Sequence, residues 1–258
     1  MTEEASMASK EQAQDREPFS PRFSSALAFA AELHREQTRK GTDIPYIAHL
    51  LAVAALVIEH SGDEDQAIAA LLHDAVEDQG GHATLAQIRQ RYGERVAGLV
   101  DACTDSYEKG PEKAEWKPRK EKYLASLPGK PGDALLVSAA DKLHNATAIL
   151  EDYLVQGEAL WSRFNGGRDS LWYYRGLVEG LRHRTDPRLH RRLEATVDEL
   201  ERLAGEAAAN EASSGAAAPA KQPTSDDWPE LLDQTAEDEG RGFQIIGAKP
   251  PAPSKPHQ

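Results

Sequence analysis

The chain has 258 residues, which is enough for one large domain or two small ones with a substantial core. Its formal net charge of −13 argues against a nucleic-acid polymer as partner, because phosphate binding needs a basic face. The single Cys103 excludes an intramolecular disulfide, the acidic start is unlike a secretory signal, and the longest apolar run is too short to span a membrane, so we expect a cytoplasmic protein.

Composition divides the chain into three regions. Residues 1–20 lack periodic apolar positions, and the acidic tail of residues 206–258 is rich in Ala and Pro. Neither end can bury enough apolar surface to offset its ordering entropy, so both are predicted to be disordered. Within the tail, WPELLDQ can form a short amphipathic turn that docks elsewhere, although a solvated tail is the simpler interpretation. Residues 21–205 are predicted to form a single globular domain.

The first half of this domain reads as a series of helices. SSALAFAAELHREQ opens with serine caps and has apolar residues at helical spacing. Pro45 starts a second helix, IAHLLAVAALVIEHS, and Gly62 ends it. A third helix is predicted from about Glu64 to Asp78, where a pair of glycines follows.

The second half is also predicted to be helical. Thr84 and Gln87 resemble a capping box for a fourth helix, and VAGLVDACT predicts a fifth. KGPEKAEWKPRK is basic and interrupted by proline, which is typical of a loop. Pro131 starts a long helix, PGDALLVSAADKLHNATAILEDY, and SLWYYRGLVEGLRHR and PRLHRRLEATVDELERLA close the domain. Strand-like alternation is not evident, so the predicted class is all-α.

The stretch LLHDAVED, residues 71–78, places four ionisable residues in an apolar helix. At about 100° per residue, His73, Asp74, Glu77 and Asp78 fall within an arc of about 140°, and the apolar residues occupy the remainder. Crowded carboxylates repel one another and need a compensating cation. A divalent metal held by imidazole and carboxylate ligands would supply it.

Two more ionisable residues, His49 and Asp141, lie in the middle of other apolar helices, where an unpaired polar group is costly to bury. Together with His73 and Asp74 they form a candidate ligand set of two histidines and two aspartates. The acid pair that ends LLHDAVED lies one turn further, within reach of water at the metal as general acid and base. Each residue alone has an ordinary structural explanation, but the combination indicates a metal centre.

Three motifs, RKGTDIPYIAH, LLHDAVED and ADKLHN, occur in this order between about residues 26 and 153. They resemble the HD-domain metal-dependent phosphohydrolases and, more narrowly, the hydrolase domain of the RelA/SpoT alarmone enzymes. The helices and tail that follow leave no space for a synthetase domain, so the chain is similar to a stand-alone small alarmone hydrolase. The resemblance implies a helical HD-domain fold.

The resemblance also assigns roles to individual residues. It implies that one divalent metal, Mn²⁺ in the family, is bound by His49, His73, Asp74 and Asp141. Glu77 and Asp78 match the family's catalytic acid pair, and a purely structural role is disfavoured because negative charge at a helix C-terminus opposes the helix dipole. His34 and His144 match positions where the family often has histidine, and we interpret them as supporting residues.

Four residues match the surroundings of the family's nucleotide. Arg39 and Lys40 match its basic pair, in which a guanidinium can stack on a purine and both cations can contact phosphate. Asn145 matches the ribose-contacting Asn. The adjacent Lys142 either faces phosphate or forms a surface salt bridge. Tyr46 is interpreted as supporting the loop.

The activity implied by the resemblance is hydrolysis of the 3′-pyrophosphate of guanosine tetra- or pentaphosphate, a small-molecule substrate. Leu50 stands where the family usually has Pro, and Thr147 where it often has Arg, so nucleotide specificity stays open. Alternatives are a phosphohydrolase acting on an adenosine alarmone or NADPH, and a catalytically idle nucleotide-binding module. The complete acid pair disfavours the idle module. Whether the chain forms a homo-oligomer is also left open.

Overall fold

A computed structural model of the protein describes residues 19–107 and 115–214. Within these residues the predicted all-α class is confirmed, since the β-type pairing there is one isolated bridge, between Thr38 and Pro45. The α-helices are α1 (Pro21–Leu33), α2 (Ile47–Glu59), α3 (Glu64–Leu72), α4 (Ala75–Gln79), α5 (Gly81–Tyr92), α6 (Glu94–Cys103), α7 (Trp116–Ser126), α8 (Gly132–Gln156), α9 (Ser170–Leu181) and α10 (Pro187–Ser214). Short 3₁₀ helices cover Leu127–Gly129, Gly157–Arg163 and Gly167–Asp169.

Helix α3 lies at the centre of the core and packs against α1, α2, α6 and α8. It begins with a capping box, in which Asp63 and Gln66 each accept the other's backbone N–H at 3.0 Å. Every residue from Gln66 to Leu72 is buried. Because each buried Leu or Ile side chain stabilises the fold by about 1.5–3 kcal/mol, α3 is a fixed base for the ionisable residues that follow it.

The predicted third helix is in fact two helices. Helix α3 ends at Leu72 and α4 begins at Ala75, with His73 and Asp74 in the turn between them. The prediction of one continuous helix was therefore wrong. The turn is fixed by a contact from another element, because the hydroxyl of Tyr46 donates a hydrogen bond to Asp74 at 2.6 Å. Helical periodicity cannot reveal such a contact.

Two predicted helix starts were placed too late. Helix α1 begins at Pro21 with Ser20 as its cap, before the serines predicted to cap it. Helix α5 begins at Gly81, so Thr84 lies inside the helix and its hydroxyl donates to the carbonyl of Gln79 at 3.2 Å. The predicted capping box is therefore wrong, because the glycine pair turns the chain sharply and the next helix starts at once.

Part of the segment KGPEKAEWKPRK, predicted to be a loop, forms the start of helix α7. Residues 109–114 of this segment lie outside the described residues. Pro118 stands in the first turn of α7, where a backbone N–H has no partner within the helix and its loss costs little. The proline that indicated an interruption is thus compatible with a helix start.

The last helix continues beyond the predicted end of the domain at residue 205. Helix α10 reaches Ser214, and the sequence EAAANEA in this extension consists largely of strong helix formers. The predicted leader, apart from residues 19 and 20, and the tail after residue 214 with its WPELLDQ segment lie outside the described residues. In the part of the chain that the structure describes, no helix is both long and apolar enough to cross a membrane.

Candidate active site

Three buried side chains from different parts of the fold meet in the core. His49 lies in the first turn of α2, not at its middle as predicted, His73 follows α3, and Asp141 lies in α8. Their ligand atoms are all within 4.8 Å of one another. Oδ1 of Asp141 is 3.3 Å from Nε2 of His49 and 3.6 Å from Nε2 of His73. The three groups therefore face a common point.

Asp74 lies beside this cluster and is more exposed than its neighbours. Its Oδ2 is 3.0 Å from Nε2 of His73 and 3.5 Å from Nε2 of His49. The same oxygen accepts the hydrogen bond from Tyr46, and the side chain is 23% exposed. Asp74 is thus within reach of both imidazoles, and the hydroxyl of Tyr46 fixes the orientation of its carboxylate.

The surroundings of the two imidazoles fit a divalent metal. Nδ1 of His73 is 2.8 Å from the carbonyl oxygen of Ala70, which can only accept, so Nδ1 carries the proton and Nε2 offers a lone pair. Nε2 of His73 and Nε2 of His49 are both buried without a hydrogen bond among the described residues. Lone pairs that face carboxylates in a core are costly unless a cation lies between them.

The pKa of His73 also indicates that the carboxylates of the cluster favour a positive charge between them. Burial lowers this pKa, but the negative charges of Asp74 and Asp141, whose oxygens lie 3.0 and 3.6 Å from Nε2, raise it well above its ordinary value. A proton on Nε2 satisfies the two carboxylates when no other cation is present. A divalent metal with imidazole and carboxylate ligands meets the demand more fully.

His144 orients His49 from behind. The Nδ1 atoms of the two rings are 2.9 Å apart. Burial, followed by the charges of His49 and Arg39, lowers the pKa of His144 to about 4, so its ring is neutral near neutral pH. A neutral ring can accept the N–H of His49, which leaves Nε2 of His49 for the cluster.

Asp141 is held by neighbours on its own helix. The ammonium of Lys142 is 2.6 Å from Oδ2, and the amide of Asn145 donates to Oδ1 at 2.5 Å. Burial raises the pKa of Asp141, but the charge of Lys142 and the two imidazoles that face Oδ1 hold it well below its ordinary value. The Lys142 side chain is 16% exposed, so its ion pair is part of the site and not a surface salt bridge.

Glu77 and Asp78 lie on α4 and line a cavity of about 220 Å³. Asp74 and Asp141 line the same cavity, so the acid pair and two of the predicted ligands face one space despite the break in the helix. The amide of Gln37 donates a hydrogen bond to Oδ2 of Asp78 at 2.8 Å. This contact orients the carboxylate.

A larger cavity of about 470 Å³ adjoins the first and shares several lining residues with it. Its cationic side chains are Arg39, Lys40, Lys120, Lys142 and Arg163. Its aromatic side chains are Tyr46, Trp116, Phe164, Tyr173 and Tyr174. Aromatic rings stack on nucleobases, and Lys and Arg bind phosphate, so both the size and the chemistry suit a nucleotide.

The residues predicted to contact the nucleotide lie at the junction, where the two cavities meet, and at the outer edge of the larger cavity. Arg39 donates a hydrogen bond from Nη2 to Oδ1 of Asn145 at 2.7 Å, and both residues line both cavities. Lys40 is exposed and its ammonium donates to Asn165 at 3.1 Å. Arg39 and Asn145 are therefore close to the metal cluster, whereas Lys40 lies at the rim.

Sequence reasoning missed several residues that line the cavities. Lys120 lies on α7, in the segment predicted to be a loop, and its ammonium is 2.6 Å from Oδ2 of Asp105. Trp116 and Tyr173 were treated only as parts of their segments. The basic letters KPRK were a signal of anion binding, but the packing of α7 against α9 at this cavity is decided by the tertiary fold.

The fold and the site together define an all-α protein with a buried imidazole–carboxylate centre that fits a divalent metal. The HD domain family matches residues 26–172. The chain belongs to this family, and the predicted resemblance to the RelA/SpoT-type alarmone hydrolases is confirmed by the relatives described next.

Three curated relatives show this kinship. The chain is 40% identical over 123 residues to the guanosine-3′,5′-bis(diphosphate) 3′-pyrophosphohydrolase MESH1 of Xenopus tropicalis, covering 46% of this chain and 65% of that protein. It is 32% identical over 189 residues to MESH1 of Drosophila melanogaster, covering 72% and 96%. It is 39% identical over 124 residues to the corresponding hydrolase of Aquifex aeolicus, covering 48% and 17%. The match thus spans less than two thirds of the Xenopus and Aquifex proteins.

Two solved structures have the same fold. One is a metazoan ortholog of SpoT that hydrolyses ppGpp and plays a role in starvation responses, with 28% identity, a TM-score of 0.57, and coverage of 70% of this chain and 96% of that chain. The other is a protein of Listeria monocytogenes with 27% identity, a TM-score of 0.51, and coverage of 60% and 99%. The first likeness supports the assignment to the family, and the second supports the fold.

Proposed function

We propose that the protein removes the 3′-pyrophosphate of guanosine tetra- or pentaphosphate, which gives pyrophosphate and GDP or GTP. The observation that carries this proposal is the junction of two cavities, one beside the buried His49, His73 and Asp141 cluster and one with the size and lining that suit a nucleotide. The Xenopus, Drosophila and Aquifex relatives are named for this activity.

We assign the divalent metal to four residues, and we propose that it is Mn²⁺. The proposed ligands are His49, His73, Asp74 and Asp141. A bound cation would supply Lewis-acid activation of water and would neutralise charge on the phosphoryl group. His144 and Tyr46 hold two of the ligands in place through the contacts described above.

Glu77 and Asp78 are assigned to proton transfer. Asp78 receives a hydrogen bond from Gln37, which holds its carboxylate in an orientation to accept a proton from the attacking water. The 3′-oxygen of the nucleoside needs a proton as its bond to phosphorus breaks, and we assign the return of that proton to the same pair. Both proton transfers are thus assigned to two carboxylates that line the same cavity.

The four remaining residues are assigned to substrate binding. Lys142 lies beside Asp141 and suits the pyrophosphate at the metal cluster. Arg39 and Asn145, joined by their hydrogen bond, suit the base and the ribose at the junction. Lys40 at the rim suits a phosphate that extends outward. We also propose that the catalytic domain extends from about residue 21 through the end of α10, and that it works in the cytoplasm.

The proposal is tested with purified protein freed of metal by a chelator and reloaded with Mn²⁺. Guanosine tetraphosphate, its adenosine counterpart and NADPH are each incubated with it, and the products are separated by chromatography. The expected result is GDP and pyrophosphate from guanosine tetraphosphate, with no turnover before Mn²⁺ is added. Turnover of NADPH or the adenosine compound alone would instead show an HD phosphohydrolase of different specificity.

A further inference from the structure

A ligand that reaches from the larger cavity to the smaller one must pass a narrow set of residues. The residues that line both cavities are Arg39, Tyr46, Lys120, Lys142, Asn145 and Tyr173. Three of the six are cations, and the other three can donate a hydrogen bond. This junction therefore has the chemistry of an anion site.

Most polar groups at the junction already have a partner within the protein. The contacts are Arg39 to Asn145 at 2.7 Å, Tyr46 to Asp74 at 2.6 Å, Lys120 to Asp105 at 2.6 Å, and Lys142 to Asp141 at 2.6 Å. These contacts hold the side chains in position before any ligand arrives. A preorganised site loses little conformational entropy on binding.

The hydroxyl of Tyr173 differs from the other polar groups at the junction in its hydrogen bonding. It is 5% exposed, and its hydroxyl is buried without a hydrogen-bond partner among the described residues. Other buried tyrosines nearby are satisfied, since Tyr123 bonds with Ser138 at 2.5 Å. A buried hydroxyl without a partner destabilises the fold, and such groups are rare in native proteins. Its presence at the junction calls for a partner that the protein itself does not supply.

The charges around Tyr173 indicate what that partner is. The ammonium of Lys120 is 5.0 Å from the centre of the tyrosine ring, and the positive charge of Lys142 also acts on Tyr173. Burial raises the pKa of Tyr173 well above its ordinary value, so the hydroxyl keeps its proton and can donate it in a hydrogen bond. A donor among cations suits an anionic oxygen.

We propose that the hydroxyl of Tyr173 binds the substrate by donating a hydrogen bond to a phosphate oxygen at the junction of the two cavities. The ligand class is a nucleoside whose 3′ position carries the phosphates, with the nucleoside in the larger cavity. The identity of that nucleotide rests on the proposed function. Tyr173 thereby adds a binding residue on α9 to those of α8 and of the chain before α2.

The test compares Tyr173→Phe with a matched control, Tyr153→Phe. Both changes remove one hydroxyl from a buried tyrosine, but the hydroxyl of Tyr153 donates to Glu158 at 2.6 Å within the protein. Without nucleotide, Tyr173→Phe should keep or raise the melting temperature, because an unsatisfied group is removed. Tyr153→Phe should lower it.

Binding is then measured on the Mn²⁺-loaded proteins with two probes. Calorimetry gives the Kd of inorganic pyrophosphate, and initial rates give KM and kcat for guanosine tetraphosphate. Tyr173→Phe should weaken pyrophosphate binding by about tenfold or more, the usual effect of losing a hydrogen bond to a charged group, and should raise KM. Tyr153→Phe should leave both constants unchanged.

The possible outcomes separate this inference from the proposed function. Wild-type affinity for pyrophosphate in Tyr173→Phe, or no pyrophosphate binding by the wild type, overturns the inference. A drop in melting temperature as large as that of Tyr153→Phe also overturns it, because the hydroxyl then has a structural partner. If the wild type does not hydrolyse guanosine tetraphosphate but Tyr173→Phe weakens pyrophosphate binding, the inference stands and the proposed function fails.

Discussion

The imidazole rings of His49 and His73 lie 5.2 Å apart at 66° to each other, and both direct Nε2 toward Oδ1 of Asp141. Each ring is tied at its Nδ1 atom, one to His144 and the other to the carbonyl of Ala70. This arrangement leaves one lone pair per ring for a shared cation. The predictions below follow from this centre and from the contacts that support it.

Replacing Asp141→Ala should abolish turnover and reduce bound Mn²⁺ to background. The change removes a buried carboxylate whose Oδ1 lies within 3.6 Å of Nε2 of both imidazoles. Metal content by atomic emission, measured on protein equilibrated with Mn²⁺, checks this. Asp169→Asn is the control, because Asp169 forms an exposed ion pair with Lys117. Full metal occupancy in Asp141→Ala would remove it from the ligand set.

The double change Glu77→Gln and Asp78→Asn should lower kcat while metal content and nucleotide affinity stay near wild type. Amides keep the shape and the hydrogen bond from Gln37 but cannot accept a proton, and each acid–base group typically contributes about 10²–10⁴-fold in rate. Single-turnover kinetics measures the rate, and metal analysis measures the metal content. Loss of the metal would show that these residues are ligands, and normal turnover would exclude their role in proton transfer.

Tyr46→Phe should weaken Mn²⁺ binding by about 10–100-fold, the usual cost of losing a hydrogen bond to a metal ligand. The hydroxyl of Tyr46 donates to the oxygen of Asp74 that faces both imidazoles, so its loss lets the carboxylate rotate away. Titration against a competing chelator measures the affinity. Tyr153→Phe serves as control, and equal affinities for the two variants would contradict the orienting role.

The ion pairs of Asp105 should make part of the stability depend on pH. Burial raises the pKa of Asp105, but Lys120 and Arg119 lower it from 3.8 to about 2. A carboxyl with a lowered pKa in the folded state stabilises it fully above the unfolded value, and the stabilisation is lost as pH falls from 3.8 toward 2. A shift of this size corresponds to about 2 kcal/mol.

Asp105→Asn should therefore lower the free energy of unfolding by about 2 kcal/mol or more at pH about 6. The difference from wild type should shrink to about half at pH about 3. At that pH the Asp105 carboxyl is mostly protonated in the unfolded chain, so its ionisation in the folded state contributes less to the free energy of unfolding. Denaturant unfolding at several pH values measures both. A difference that is constant across this range would show that Asp105 does not have the lowered pKa.

Gly166→Ala should raise KM for the nucleotide with little effect on bound metal. A Cβ at Gly166 would lie 2.6–2.7 Å from three consecutive atoms of the six-membered ring of Trp116, and such similar distances place it over the ring face. Trp116 must then move, and it lines the larger cavity. Gly98→Ala is the control, because a Cβ there meets nothing within 4 Å and should raise helix stability without changing KM. An unchanged KM in Gly166→Ala would exclude Trp116 from the binding wall.

Much of the fold follows from local patterns in the sequence. The long helix α8 was predicted nearly to its ends, because apolar residues at helical spacing and a starting proline act within one element. The metal-ligand candidates were found for a similar reason. An imidazole or carboxylate inside an apolar helix is costly to bury without a partner, so it indicates a site. The break between α3 and α4, and the helix α7, were missed because neither has a marker in its own segment.

The sequence by itself determined the all-α class, the kinship to the HD domain family and the residue types of the candidate centre. The tertiary structure alone decided that His49, His73 and Asp141 meet and that Lys120 and Asp141 line one cavity. It also decided that the hydroxyl of Tyr173 has no hydrogen-bond partner among the described residues. The physical reason is the distance along the sequence over which each interaction acts. Helical periodicity and capping act over a few residues, whereas the distances between these groups are set by how α2, α3, α7, α8 and α9 pack against one another.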